Sequence, residues 1–110
     1  MTAAAWSPTV VQDVPLTAVD MHWSRLRHSD AAPGTDQFLW WQIASAKGGT
    51  VRAHITQRRQ FADWCAAYSL VVTRDGDFTV RGNGYVPVGS FRLWLDFTYT
   101  ELPGDAAGAA

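Results

Sequence analysis

The stretch "FRLWLDFTYT", residues 91–100, constrains the fold more than any other. Phe91, Leu93, Leu95, Phe97 and Tyr99 alternate with Arg92, Trp94, Asp96 and Thr98. A period of two places alternate side chains on opposite faces of an extended strand, so this segment must lie in a sheet with one face packed on a core. Trp94 breaks the otherwise polar face. An indole there calls for a cover: the N-terminal arm, a helix or a partner.

A second β signal precedes it. In "LVVTRDGDFTVRG", Asp75-Gly76 separates two β-rich runs, as in a two-residue hairpin turn. That register sets Arg74 opposite Asp77, Val71 opposite Val80 and Thr73 opposite Phe78, with Gly76 at positive φ. The Gly- and Pro-rich "RGNGYVPVGS" reads as a loop between this hairpin and the last strand.

Helical spacing dominates earlier. Leu16, Val19, Trp23 and Leu26 predict a helix over 16–28, with Pro15 in its first turn; a strand with Val19, Met21 and Trp23 on one face is the rival. In "TDQFLWWQIASAKGG", Thr35 or Asp36 can cap a start, and Gly48 can end a helix in the left-handed region. These caps predict a helix over 37–47, against a strand "FLWWQIA" favoured by its aromatic residues and Ile43. "TVRAHIT" reads as a short strand. Phe61, Trp64, Cys65 and Tyr68 form an unbroken stripe that predicts a helix over 56–69 packed on the sheet.

These elements predict a small α+β domain over residues 9–102: N-terminal helices, then a three-stranded antiparallel meander with helix 56–69 on one face. Residues 1–8 and 103–110 read as loose termini, the arm docked by Trp6. A chain of 110 residues suits one domain. Three helices and then a hairpin is also the element order of a winged helix, with "TQRRQFADWCAAY" as the recognition helix, but no family motif accompanies it.

Several chemistries find no support. Cys65 is the one cysteine, so an internal disulfide and a cysteine-rich zinc site are excluded. His22, His28 and His54 have no ligand spacing, and no metal or cofactor is expected. Cys65 falls within an apolar stripe, where a thiol acts as a small hydrophobe rather than a nucleophile. "RGNGYV" lacks a nucleotide-binding pattern, and the acids are scattered singly. The start "MTAAAWSPT" does not have the form of a signal peptide, and no apolar run approaches a membrane span of ~18 residues, so a cytoplasmic location is the default expectation.

Charge supplies the remaining signal. The net charge is −1, yet residues 37–62 contain Lys47, Arg52, Arg58 and Arg59 and no acid. Arg58 and Arg59 stand where a helix should begin, against the dipole preference for acids. Bound phosphate would offset them, since helix N-termini attract anions. Lys47, Arg52, His54, Arg58 and Arg59 are therefore the candidate anion- or nucleic-acid-binding group of a non-enzymatic binding protein. Exposure to solvent, or pairing with acids such as Asp63 or Asp96, is the plainer explanation. The six tryptophans support another expectation. On that expectation the protein is a protein–protein module or a small structural subunit of an assembly, with Trp94, Tyr85, Trp40 and Trp41 as its contact surface. A small ligand-binding or enzymatic α+β domain is the third expectation.

Overall fold

The computed structural model describes residues 14–102. The expected arm at 1–8, the docking of Trp6 and the tail at 103–110 lie outside them. In chain order the elements are α1 (Leu16–Arg27), β1 (Phe38–Ala44), a 3₁₀ turn (Ala46–Gly48), β2 (Thr50–Ile55), α2 (Arg58–Tyr68), β3 (Val71–Asp75), β4 (Thr79–Val88) and β5 (Phe91–Thr100). The strands form one mixed sheet in the order β1-β2-β5-β4-β3. Only β2 and β5, side by side near its centre, run parallel; the other neighbours are antiparallel.

The chain is thus a small α+β domain, with more strand and less helix than its sequence predicts. The last three strands are antiparallel neighbours, but they are part of a five-stranded sheet. Residues 38–44 are a strand, not the helix predicted over 37–47. The edge of β2 must satisfy its row of N–H and C=O groups, and β1 does so from Trp40↔His54 to Ala44↔Thr50. The residues that resemble helix caps build turns instead. The Thr35 carbonyl accepts the Phe38 N–H, and Lys47-Gly48 turn the chain from β1 into β2. Without that middle helix the winged-helix order does not arise.

The strand β5 is central and follows its alternation: Leu93, Leu95, Phe97 and Tyr99 are buried. Val51, Ala53 and Ile55 of β2 and Val86 and Val88 of β4 join them. Both helices cover this one face. Val19, Trp23 and Leu26 of α1 and Phe61, Trp64 and Cys65 of α2 are buried, while Tyr68 is only partly so. Four aromatic rings meet where the helices join: Trp23 lies 5.7 Å from Trp64 and 6.1 Å from Phe97, and Phe38 lies 5.4 Å from Phe97. A bulge at Leu39, between Phe38 and Trp40, resets the β1 side chains so that Trp41 also faces this cluster, 5.9 Å from Trp23. Gln60 is buried but satisfied. It donates to Asp36 Oδ1 at 2.8 Å and accepts the Gln37 N–H at 3.0 Å, tying the loop before β1 to α2.

"RGNGYVPVGS" is not a loop but most of β4 and its turn into β5. Its glycines are packing devices. A Cβ at Gly82 would stand 2.5 Å from Cys65 Sγ, and one at Gly84 would stand 3.4 Å from Leu70, so bare backbone lets α2 and its exit lie close to the sheet. Pro87 lacks an N–H, but β3 pairs with β4 only as far as Asn83, so no ladder bond to β3 is lost there.

The hairpin register also differs from the expected one. Asp75 pairs with Thr79 and Val71 with Asn83, leaving Gly76, Asp77 and Phe78 as a three-residue connection. Arg74 reaches Asp77 all the same, donating to its carbonyl oxygen at 3.1 Å. Ten consecutive pairs with β5, from Thr79↔Thr100 to Val88↔Phe91, fix which face each β4 residue takes, and the short β3 adapts to them. Gly76 has φ +86°, as its place in the turn requires.

Candidate functional site

With both helices on one side, the other side of the sheet is uncovered by any described element. Cross-strand pairs define its rows. Trp40, His54, Thr98, Arg81 and Thr73 stand in one row; Gln42, Arg52, Asp96, Asn83 and Val71 in the next; Ala44, Thr50, Trp94 and Tyr85 in the third. Beyond them Arg92 pairs with Pro87.

The middle of this face is held by charge. Asp96 accepts from Arg81 Nη1 at 2.6 Å and lies 3.9 Å from Arg52 Nε. Arg81 also reaches Asp75 at 3.2 Å. The Asp96 hydrogen bond raises the Arg81 pKa above its already high value, so this guanidinium stays charged. Two arginines and two aspartates largely neutralise one another here. In the first row Thr98 Oγ1 lies 2.9 Å from His54 Nδ1 and 3.4 Å from the Ala53 carbonyl, which ties β5 to β2 through side chains as well as backbone.

The third row is different. Tyr85 and Trp94 meet edge to face, with centroids 4.9 Å apart. Lys47 Nζ lies 5.0 Å from the Trp94 centroid, and Arg92 Cζ lies 4.5 Å from that of Tyr85. Two cations therefore flank an aromatic pair, and neither makes an ion pair among the described residues. The turn before β2 places Lys47, and the Trp94 N–H pins that turn to β5 by donating to the Gly49 carbonyl at 2.8 Å.

The fold divides both residue groups that the sequence suggests. Lys47, Arg52 and His54 belong to the uncovered side, whereas Arg58 and Arg59 begin α2 in the helical layer. Arg59 is 90% exposed and lies 3.6 Å from Asp63, one helical turn on. Arg58 borders a cleft between α2 and the sheet with Phe61, Val72 and Glu101. Among the aromatics, Trp40, Tyr85 and Trp94 share the uncovered face, while Trp41 turns to the core side beneath Arg27, whose Cζ is 5.2 Å from the Trp41 centroid. Arg92 and Arg81 join the face although neither stands out in the sequence. The alternation of β5 puts Arg92 on the side of Trp94, which was the available signal; Arg81 was hidden by the apparent loop.

Among the described residues, no three His, Cys, Asp or Glu side chains are grouped to hold a metal ion. Burial pushes the Cys65 thiol up to about 11, which leaves it protonated at neutral pH. His22 stacks on Phe91 at 4.0 Å, and His28 closes α1 against the Ser24 carbonyl. No described helix is long and apolar enough to cross a membrane. No protein-family model matches the chain, and no curated protein and no solved structure is significantly similar to it.

Proposed function

We propose that this protein is a non-enzymatic binding module that takes single-stranded nucleic acid on the uncovered face of its sheet. The observation that carries the reading is the Tyr85–Trp94 pair between Lys47 and Arg92. Single strands are held by aromatic rings that meet unstacked bases and by cations that meet phosphates, and one row of this sheet supplies both. Trp40, 42% exposed two rows away, offers a second ring. A duplex fits less well. Major-groove readout calls for a protruding helix or ribbon, and the β3–β4 ribbon carries Asp75 and Asp77 at its tip.

Titration with a ten-nucleotide oligothymidine tests this reading through intrinsic tryptophan fluorescence. Quenching that saturates, falls with added salt and is largely lost in Trp94→Leu supports it. No change in fluorescence or mobility at low salt contradicts it.

A protein partner is the second reading, and one observation favours it: the rim at β1 presents Leu39, 65% exposed, beside Trp40. Such a contact would be apolar and insensitive to salt, which separates it from a contact with phosphate.

A further inference from the structure

The uncovered face ends in a cleft of about 360 Å³ where the β1–β2 turn meets the β4–β5 turn. Lys47, Gly48, Tyr85, Ser90, Phe91 and Arg92 line it, and none of its lining residues is acidic. We infer that this cleft binds a phosphate monoester, the phosphorylated end of the strand that the proposed function places on the sheet.

Charge is the first argument. Arg52, Arg59, Arg74 and Arg81 each lie within ion-pair distance of a carboxylate; Arg25, Arg27, Lys47, Arg58 and Arg92 do not among the described residues, and of these only Lys47 and Arg92 share this cleft. Two unpaired cations suit a group bearing close to two negative charges. A phosphate monoester carries about −1.5 to −2 at pH 7, whereas each internal diester of a strand carries one. Ser90 adds a hydroxyl donor to the same cleft.

Backbone geometry is the second. Lys47 adopts φ +58° and ψ +26°, and Gly48 and Gly49 follow at +78° and +119°. A residue other than Gly, Asn or Asp is uncommon in this region; among the described residues Ser69 ends α2 in it at φ +54°, and Lys47 is the one at this cleft. Here the turn brings the Lys47 ammonium back over Trp94, at the rim of the cleft.

Place in the fold is the third. A strand laid along β5 passes the rows of Thr98, Asp96 and Trp94 and reaches the β4–β5 turn at Gly89-Ser90, where the sheet stops. A strand that ends at that turn leaves its terminal phosphate at the cleft, and one without that phosphate offers the same cations its nearest diester. The aromatic pair stands beside the cleft, with Tyr85 in its lining, where the last base would meet it.

This inference rests on the single-strand reading, and the experiment separates the two. Ten-residue oligothymidines with a 5′-phosphate, a 3′-phosphate or neither are compared by affinity. Thymidine 5′-monophosphate, thymidine 3′-monophosphate and thymidine are compared by the amide shifts of Gly48 and Ser90. A phosphate at one end should tighten strand binding at least fivefold, and the end that does so gives the polarity. The gain should vanish in Lys47→Gln and Arg92→Gln but persist in Arg58→Gln. The monophosphate of that polarity should shift the cleft amides at concentrations where thymidine does not. Equal affinity for all three strands overturns the inference and leaves the single-strand reading standing. Shifts from a monophosphate without strand binding support the cleft as a phosphate site and remove the single-strand reading. Silence from strands and nucleotides alike removes both.

Discussion

The thiol of Cys65 occupies the space that a side chain at Gly82 would need: an ideal Cβ there stands 2.5 Å from Sγ. Phe61 crowds the same point at 3.3 Å. Gly82→Ala should therefore destabilise the fold by about 1–3 kcal/mol, the usual cost of overpacking a core. In a Cys65→Ala background the same change should cost clearly less, because the sulfur is gone. Urea unfolding of the four variants measures this coupling. Additive effects would show that the contact does not limit the approach of α2 to the sheet.

Burial of Cys65 also sets a pH dependence. Its pKa lies near 9.0 when free and about 11 when folded. The folded state holds the proton more tightly, so the thiol's contribution is complete below pH 9 and is lost as pH rises toward 11. Wild type should lose more stability over that interval than Cys65→Ala, and thiol reagents should label the folded protein slowly at pH 7. Rapid labelling that persists at acidic pH would contradict the assignment.

Trp64 is fully buried among Trp23, Phe38 and Phe97, and its Nε1 donates to the Gly34 carbonyl at 2.8 Å. Trp64→Ala should cost about 3–5 kcal/mol in thermal or urea unfolding. Arg59→Ala should change stability by less than about 0.5 kcal/mol, since its exposed pair with Asp63 is worth little. Comparable losses for the two would mean that the aromatic cluster does not support the domain.

What the sequence shows directly follows how far each element depends on distant partners. Helix α2 and strand β5 are legible because each carries one complete apolar face, Phe61-Trp64-Cys65 and Leu93-Leu95-Phe97-Tyr99. Strand β1 is not, because its state depends on pairing with β2, which no local pattern reports. The glycines of β4 read as loop signals because their purpose, room for Cys65 and Leu70, exists only after α2 has packed. The candidate site follows the same rule. Lys47, Arg52 and His54 are evident as a basic run, but their separation from Arg58 and Arg59 requires the sheet to have two sides. Arg92 becomes notable only beside Tyr85, seven residues earlier in the chain.

Salt dependence should be shallow. With Arg52 and Arg81 engaged by Asp96 and Asp75, Lys47 and Arg92 are, among the described residues, the cations of this face without an ion pair. Two phosphate contacts on a single strand predict a slope of about −1.4 for log affinity against log salt. A slope near zero, or one several times steeper, would mean that other groups carry the contact.

The most direct test is a comparison of two double variants binding one unphosphorylated oligothymidine. Lys47→Gln/Arg92→Gln alters the uncovered face, and Arg58→Gln/Arg59→Gln alters the start of α2. The first pair of changes should weaken binding and flatten the salt slope toward zero, while the second should retain the affinity and slope of the wild type. The reverse result, with binding lost only when Arg58 and Arg59 are changed, would contradict the placement of the site on the sheet.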